Sequence, residues 1–232
     1  MKTDSPLIQN YRWPGTIDNL EAKQKIAAQV AARLRDGDVF GSGSGSTSYV
    51  TILALGERAR AEQIRCMAIP TSHEMALACA QAGIAVTSLW EHTPEWCFDG
   101  ADEVDPELNM IKGRGGAMFR EKLVMRAASR SLILIDESKR VPRLGVKFPI
   151  PVEIHPLSLG VVEKELLMAG ASEIVLRLGK GKDGPVITES GNFILDVRFA
   201  SIGAGLEREL KAITGVLETG LFQGFPVEIL TL

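Results

Sequence analysis

The sequence has little of what would mark a nucleic-acid-binding, membrane or secreted protein. Its 26 basic and 29 acidic residues leave a formal net charge of −3, so electrostatics favours neither nucleic acid nor an anionic membrane as a partner. No apolar run approaches the roughly 20 residues of a membrane span. The polar residues 1–6 do not resemble the apolar core of a secretory signal. We therefore expect a cytoplasmic protein.

Cysteine and histidine are each scarce. The positions are Cys66, Cys79 and Cys97, and His73, His92 and His155. An odd, scattered set of cysteines lacks the spacing of a disulfide framework or a zinc site. The histidines do not form an HExxH pattern. We expect free thiols in a reducing compartment and no metal site.

Short strands alternate with helices through the first part of the chain. The patterns predict strands near 38–40, 64–69, 84–88, 95–99 and 131–136, with helices near 20–34, 49–56, 72–82 and 117–128. This alternation predicts an α/β domain with a Rossmann-like parallel sheet, which we assign to residues 1–149.

The pattern changes from about Pro151. Strands near 152–154, 173–178, 193–199 and 216–221 and helices near 157–168 and 206–213 follow in the order βαββαβ. That order predicts a smaller ferredoxin-like α+β domain at residues 150–221. A last strand at 226–232 is expected to return to the first domain, so that residues 222–232 complete it.

A glycine–serine loop at residues 41–48 separates a predicted strand from a predicted helix. Free N–H groups and the helix dipole favour an anion at such a place. The loop is not a dinucleotide fingerprint, because Ser46 stands at its third glycine position, and it lacks the lysine of a P-loop. We predict that this loop forms a phosphate cradle.

A second cluster of polar residues occupies residues 99–122. It contains Asp99-Gly-Ala-Asp-Glu103, Lys112-Gly-Arg-Gly-Gly116 and Arg120-Glu-Lys122. Carboxylates and a lysine around a glycine-rich turn can transfer protons beside an anion, and glycine lets backbone N–H groups approach a ligand. We predict that this stretch forms an active site.

These motifs together resemble those of ribose-5-phosphate isomerase type A. The match continues through Gly43-Ser-Gly-Ser-Thr47, Asp136-Glu-Ser-Lys139, Lys147-Phe-Pro-Ile-Pro-Val-Glu153 and Gly191-Asn-Phe-Ile-Leu-Asp196, and it covers nearly everything from about residue 17. The resemblance implies an aldose–ketose isomerase that interconverts D-ribose 5-phosphate and D-ribulose 5-phosphate through an enediolate, in the non-oxidative pentose phosphate pathway. It also implies no metal, no cofactor and a homodimer or homotetramer.

The resemblance also implies roles for individual residues. Glu121 matches the catalytic base, and Asp99, Asp102 and Lys112 match residues around the reacting carbons. The remaining matches are substrate-binding positions: the loop Ser44, Gly45, Ser46 and Thr47; the backbone positions Gly100, Ala101, Gly113, Arg114 and Gly115; and Lys139 and Lys23 near the phosphate.

The chain departs from the family pattern at a few positions. Ser44 replaces a usual threonine and keeps its hydroxyl, whereas Arg114 stands where glycine is frequent and Phe119 where a small polar residue is common. A backbone with negative φ at residue 114 would accommodate the arginine. The extension before residue 16 has no counterpart in the pattern.

Two alternatives remain open. The scaffold could isomerise a different sugar phosphate, with Arg114 and Phe119 reshaping the pocket. It could also be a non-catalytic sugar-phosphate sensor, which is disfavoured because no helix-turn-helix is predicted and all four candidate catalytic residues are present. The failed fingerprint at Gly41 disfavours a nucleotide-binding oxidoreductase.

Overall fold

The computed structural model describes residues 5–231. Within them the helices are α1 (Pro6–Gln9), α2 (Leu20–Ala31), α3 (Ser46–Ala61), α4 (His73–Ala82), α5 (Met118–Ala127), α6 (Leu159–Met168) and α7 (Leu206–Ala212). The strands are β1 (Val39–Ser42), β2 (Met67–Pro70), β3 (Ala85–Val86), β4 (Trp96–Asp99), β5 (Glu103–Val104), β6 (Met110–Ile111), β7 (Arg130–Ile135), β8 (Ile150–Ile154), β9 (Ala171–Leu176), β10 (Phe193–Phe199), β11 (Val216–Thr219), β12 (Leu221–Phe222) and β13 (Val227–Thr231).

The chain divides into two compact units. The first unit contains described residues 5–100, 120–137 and 226–231, and the second contains residues 101–119 and 138–225. The predicted domain boundary between residues 149 and 150 stays a prediction, because the units include segments from both sides of it.

A parallel sheet forms the centre of the first unit, as predicted. Its strand order is β13-β7-β4-β1-β2-β3, and each neighbouring pair runs parallel. Five consecutive residues of β7 are buried, which is typical of a central strand covered on both faces. The last strand, β13, pairs with β7 at the edge of this sheet and belongs to the first unit, whereas residues 222–225 belong to the second.

Helix α3 extends beyond the predicted end at Gly56 and continues to Ala61, so that prediction was wrong. A Cβ added at Gly56 would lie 2.6 Å from the Cβ of Ala82 in α4. The glycine is therefore needed for close approach of two helices and does not end one. A glycine inside a helix can have this packing role, which helical periodicity does not reveal.

The segment before α2 packs against α3. The rings of Tyr11 and Trp13 lie 6.2 Å and 5.6 Å from the ring of Tyr49, measured between centroids. Burial, and then the carboxylate of Glu74, raise the pKa of the Tyr11 hydroxyl. These aromatic contacts attach residues 11–13 to the helix that follows the predicted phosphate loop.

The second unit contains the predicted βαββαβ arrangement. Its four-stranded sheet has the order β11-β8-β10-β9 with antiparallel neighbours, and α6 and α7 connect the strands. One face carries Val152, Leu195 and Val197, which belong to the same buried cluster as Leu166 of α6 and Leu210 of α7. This confirms the ferredoxin-like topology.

A second, smaller sheet was not predicted. It has the order β12-β6-β5, and each strand is two residues long. Such strands are too short for an alternating pattern to identify them. This sheet nevertheless carries Glu103 and ends at Lys112, so it positions candidate site residues.

Among residues 5–231, no helix is both long enough and apolar enough to cross a membrane.

Candidate active site

In the first unit, the glycine–serine loop and Asp99 lie at the same edge of the sheet. The loop continues from β1, and Asp99 is the last residue of β4; these strands are parallel neighbours with Ser42 paired to Phe98. The Gly43 N–H donates to the Phe98 carbonyl oxygen at 2.8 Å. A Cβ added at Gly43 would lie only 2.0 Å from the Asp99 carboxyl carbon. The missing side chain at residue 43 thus makes room for the buried Asp99 carboxylate.

Asp99 is further oriented by its own backbone. Its Oδ1 atom accepts a hydrogen bond from the Gly100 N–H at 2.7 Å. A hydrogen bond from a backbone N–H group fixes the orientation of a buried carboxylate. The predicted grouping of Asp99 and Gly100 with the loop at strand ends is therefore present in the first unit.

The hydroxyl groups of the loop are held by residues outside it. The Ser44 and Thr71 hydroxyl oxygens lie 2.9 Å apart, and the Lys23 Nζ donates to the Ser46 Oγ at 2.9 Å. The proximity of Lys23 to the loop agrees with its predicted place near a phosphate. A lysine, two hydroxyl groups and the first turn of α3 thus lie together as an anion site requires.

Thr71 and Glu74 are loop partners that sequence reasoning missed. Glu74, in the first turn of α4, accepts a hydrogen bond from the Gly45 N–H at 3.2 Å. Thr71 directly follows β2, the neighbour of β1, so its place at a strand end was a usable signal. The N-cap of α4 is Ser72, whose Oγ accepts a hydrogen bond from the Met75 N–H.

Glu121 lies in the first turn of α5 and is 5% exposed. It stands one helical turn before Val124, whose Cγ1 atom would be 2.1 Å from a Cβ added at Gly41 of β1. Residues three apart share a helix face, so Glu121 lies on the face that packs on the sheet. Because α5 leads into the parallel strand β7, its first turn lies at the carboxyl edge of the sheet, where Asp99 also lies.

In the second unit, the predicted Lys112 turn is built by glycines with positive φ. Gly113 and Gly116 have φ values of 101° and 83°, and the Gly116 N–H donates to the Gly113 carbonyl oxygen at 3.0 Å. Arg114 does not have a positive φ, which confirms that the backbone there accommodates an arginine. The Arg114 side chain is exposed.

Lys112 is buried, and both its backbone and its ammonium group have partners in the second unit. Its N–H donates to the Gly220 carbonyl oxygen at 2.9 Å, and its Nζ lies 5.5 Å from the centroid of the Phe222 ring. The face of an aromatic ring attracts a cation at this distance. The short strand β12 therefore orients the lysine.

Asp102 contacts the same turn. Its Oδ2 atom accepts a hydrogen bond from the Arg114 N–H at 3.2 Å. The structure thus brings Asp102 to the turn at Gly113 and Arg114. Of the other two predicted binding positions nearby, Ala101 is half-buried and Gly115 is exposed.

Glu103 is a buried carboxylate with a structural role. It accepts hydrogen bonds from the backbone N–H groups of Gly145, Lys147 and Phe148, at 2.6, 2.5 and 2.7 Å. The Lys139 Nζ lies 5.7 Å from the centroid of the Phe148 ring. Glu103 therefore anchors the segment against which the predicted phosphate residue Lys139 lies.

Within residues 5–231, no group of three or more His, Cys, Asp or Glu side chains is arranged to hold a metal ion.

Comparisons with known proteins agree on one family. The family model described as ribose 5-phosphate isomerase A (phosphoriboisomerase A) matches residues 67–231. The ribose-5-phosphate isomerase A of Methanothermobacter thermautotrophicus is 44% identical over 207 residues, which cover 88% of this chain and 91% of that protein. That of Archaeoglobus fulgidus is 45% identical over 201 residues, which cover 84% and 88%.

Solved structures of this kind are also similar. Ribose 5-phosphate isomerase A from Methanocaldococcus jannaschii superimposes with a TM-score of 0.88 at 42% identity, covering 92% of this chain and 95% of that one. A D-ribose-5-phosphate isomerase in complex with phospho-erythronic acid superimposes with a TM-score of 0.85 at 40% identity, covering 92% and 96%.

Proposed function

The chain belongs to the ribose 5-phosphate isomerase A family and interconverts ribose 5-phosphate and ribulose 5-phosphate, and we propose which of its residues carry out this reaction. The reaction moves a proton between C2 and C1 of the open-chain sugar through an enediolate. It therefore needs a base that reaches both carbons and donors for the oxyanion that develops.

Glu121 is the proposed base. The observation that carries this proposal is its place in the first turn of α5: a buried carboxylate at the sheet edge that also holds Asp99 and the glycine–serine loop. A base shielded from water exchanges its proton slowly with solvent, which suits the return of one proton to the adjacent carbon.

The other polar residues have complementary proposed roles. Lys112 and the N–H groups of the 113–115 turn supply positive charge and donors for the oxyanion. Asp99 and Asp102 bind sugar hydroxyl groups and assist ring opening, with Gly100 and Ala101 between them.

The proposed phosphate ligands are hydroxyl, amide and ammonium groups. Ser44, Ser46 and Thr47 supply hydroxyl groups, and Gly45 precedes the first turn of α3. Lys23, which already contacts Ser46, and Lys139 supply cations. Helix N-termini and lysines bind phosphate through partial and full positive charge.

We propose that neither metal nor cofactor takes part, since an ammonium group and amides suffice for the oxyanion. Activity measured after exhaustive treatment with a chelator should equal that of untreated protein. Loss of activity that a divalent cation restores would instead make Asp99, Asp102 and Glu103 candidates for metal ligands.

We also propose a homodimer or homotetramer in the cytoplasm. The second unit exposes large apolar side chains on and beside α6, including Leu157, Leu167 and Met168, and such side chains are typical of association surfaces. Sedimentation velocity at several protein concentrations tests this assembly, and a monomer at every concentration would contradict it.

The test of the reaction is NMR of ribose 5-phosphate with the protein in D₂O. Ribulose 5-phosphate should form, and the share of deuterium at C1 measures how often the abstracted proton exchanges before it is returned. Other aldose phosphates in the same assay serve as controls, and faster turnover of one of them would favour the alternative in which the scaffold isomerises a different sugar phosphate.

A further inference from the structure

Arg177 and Asp196 form a side-chain pair that contacts the Lys112 turn, although neither residue was assigned a role above. Arg177 directly follows β9, and Asp196 lies on β10. The Arg177 Nε donates to Asp196 Oδ2 at 2.9 Å, and its Nη2 donates to Oδ1. The two side chains are only 17% and 22% exposed. A bidentate pair of this kind fixes the plane of the guanidinium group.

The remaining nitrogen of the guanidinium group holds the turn itself. Arg177 Nη1 donates to the carbonyl oxygens of Gly113 at 2.8 Å and Arg114 at 3.0 Å. Four of the five N–H groups of Arg177 are thus engaged, two by Asp196 and two by consecutive carbonyl groups.

These contacts determine which way the N–H groups of the turn point. A trans peptide directs its C=O and N–H groups to opposite sides. In the peptide between Gly113 and Arg114, the oxygen accepts from Arg177 while the N–H donates to Asp102. In the next peptide the oxygen also faces Arg177, so the Gly115 N–H points away from it, and Gly115 is exposed.

We propose that Arg177 and Asp196 are positioning residues, which hold the Arg114–Gly115 peptide so that its N–H group faces the reacting sugar, and the Gly113–Arg114 peptide so that its N–H group orients Asp102. This inference rests on the proposed role of the turn in oxyanion stabilisation. Glycines on both sides of Arg114 lower the conformational energy needed to flip a peptide, and a flip would present a carbonyl oxygen to the developing negative charge. Fixing the donors in advance is what makes them effective.

A lysine cannot replace the arginine in this arrangement. It retains the charge, but it is a point donor without the planar fork that binds a carboxylate and two carbonyl groups together. Arg177→Lys and Asp196→Asn therefore loosen the turn with little change in side-chain volume.

The experiment compares these two variants with Arg198→Ala. Arg198 lies on β10 and pairs with Glu173 of β9 at 3.3 Å, but the two side chains are 40% and 57% exposed, and no described contact joins them to the turn. For each protein we would measure kcat and KM for ribose 5-phosphate, affinity for phospho-erythronic acid by calorimetry, and the thermal midpoint. Phospho-erythronic acid has a carboxylate where the enediolate would carry its oxygens, so it probes the turn without turnover.

We expect kcat to fall about 10- to 100-fold in Arg177→Lys and Asp196→Asn, as for other misplacements of about 1 Å. Phospho-erythronic acid should lose affinity in parallel, because transition-state analogues follow transition-state binding. KM for ribose 5-phosphate should change far less, and Arg198→Ala should match the wild type in all three quantities.

Folded Arg177→Lys and Asp196→Asn variants with wild-type kcat and analogue affinity would overturn the positioning role. It would also be overturned if KM rose while kcat stayed constant, if Arg198→Ala caused the same losses, or if neither variant folded, since the pair would then serve stability alone. The proposed function fails separately, if the wild type does not isomerise ribose 5-phosphate.

Discussion

The two units hold their candidate active-site residues by different means. In the first unit, Asp99 and the glycine–serine loop are placed by the ends of two neighbouring parallel strands and by the absence of a side chain at Gly43. In the second unit, the Lys112 turn is held by side chains from elsewhere in the chain, among them Asp102 and Arg177. Side-chain hydrogen bonds from Lys23, Thr71 and Glu74 also reach the loop. The position of Asp99 nevertheless follows from backbone packing, whereas the orientation of the Lys112 turn follows from specific hydrogen bonds.

This difference has a physical consequence. Backbone packing in a parallel sheet is supported by many residues, so the loss of one side chain changes it little. A glycine-rich turn has few conformational restraints of its own, and each hydrogen bond to it is a large part of what orders it. We therefore expect substitutions that change catalysis to be confined to fewer positions in the first unit than in the second.

The largest expected effect is that of Glu121→Gln. The amide cannot accept the proton, so turnover should fall by about two to four orders of magnitude. Calorimetry with phospho-erythronic acid should show that binding persists, since the shape of the side chain is retained. Near-normal turnover in this variant would refute the assignment of the base.

Lys112→Ala should have the next largest effect, from the second unit. Loss of the ammonium group removes charge from the oxyanion and should lower kcat about 100- to 1,000-fold, with a smaller rise in KM. Steady-state kinetics measure both quantities. The opposite pattern, a large rise in KM with kcat preserved, would make Lys112 a phosphate ligand.

Gly43→Ala tests the placement by backbone packing. The added methyl group would overlap the Asp99 carboxylate, and we expect kcat to fall about 100-fold as that carboxylate moves. Gly160→Ala is the matched control, because a Cβ at this helical position meets no atom within 4 Å. The control should leave kcat unchanged and stabilise α6 slightly. Equal activity of both variants would contradict the close approach of Gly43 and Asp99.

Glu103→Gln tests, by its effect on the free energy of unfolding, how strongly hydrogen bonds hold the second unit. The amide turns an N–H group toward backbone N–H donors of the 145–148 segment, so the free energy of unfolding should fall by about 1–3 kcal/mol. Chemical denaturation measures this change. Glu173→Gln, at an exposed ion pair of the same unit, should cost less than about 1 kcal/mol. A loss no larger than that of the control would mean that the segment has other anchors.

The smallest expected effect concerns the exposed pair of Asp36 and Arg65. Hydrogen bonds from the side chain and backbone of Arg65 lower the pKa of Asp36 from 3.8 to about 2. Because the folded-state pKa is the lower one, the pair stabilises the fold above about pH 4, and this stabilisation is lost as the pH falls toward 2. The difference in thermal midpoint between wild type and Asp36→Asn should be small at pH 6 and shrink further near pH 2. A difference that grows on acidification would contradict the stated direction.

Much of the first unit could be predicted because the relevant signals are local. Alternating strands and helices indicate a parallel sheet, and residues at the carboxyl ends of its strands lie together at one edge, as Ser42 and Asp99 do. What remained hidden was the partner of each loop atom. The place of Thr71 at a strand end was a usable signal, but no pattern near Glu74 indicates that it accepts a hydrogen bond from the loop.

The second unit was predicted less completely for the same physical reason. The βαββαβ order is visible as periodicity, but part of the support of the Lys112 turn comes from Arg177, which is more than sixty positions away. The motif that ends in Asp196 was evident in the sequence, whereas its link through Arg177 to the Gly113 carbonyl depends on tertiary structure. The short strands β5, β6 and β12 were missed because two residues are too few to show an alternating apolar–polar pattern.

The pairing of β13 with β7 has a kinetic consequence. Val227 is the register partner of Ser131, so nearly the whole second unit must be synthesised before this edge of the parallel sheet is covered. Until then β7 presents open backbone donors and acceptors, which in a newly made chain invite pairing with other strands. Contacts between such distant residues also slow folding. A chaperone that shields this edge during synthesis would therefore increase the yield of folded protein without changing the free energy of unfolding of the native state.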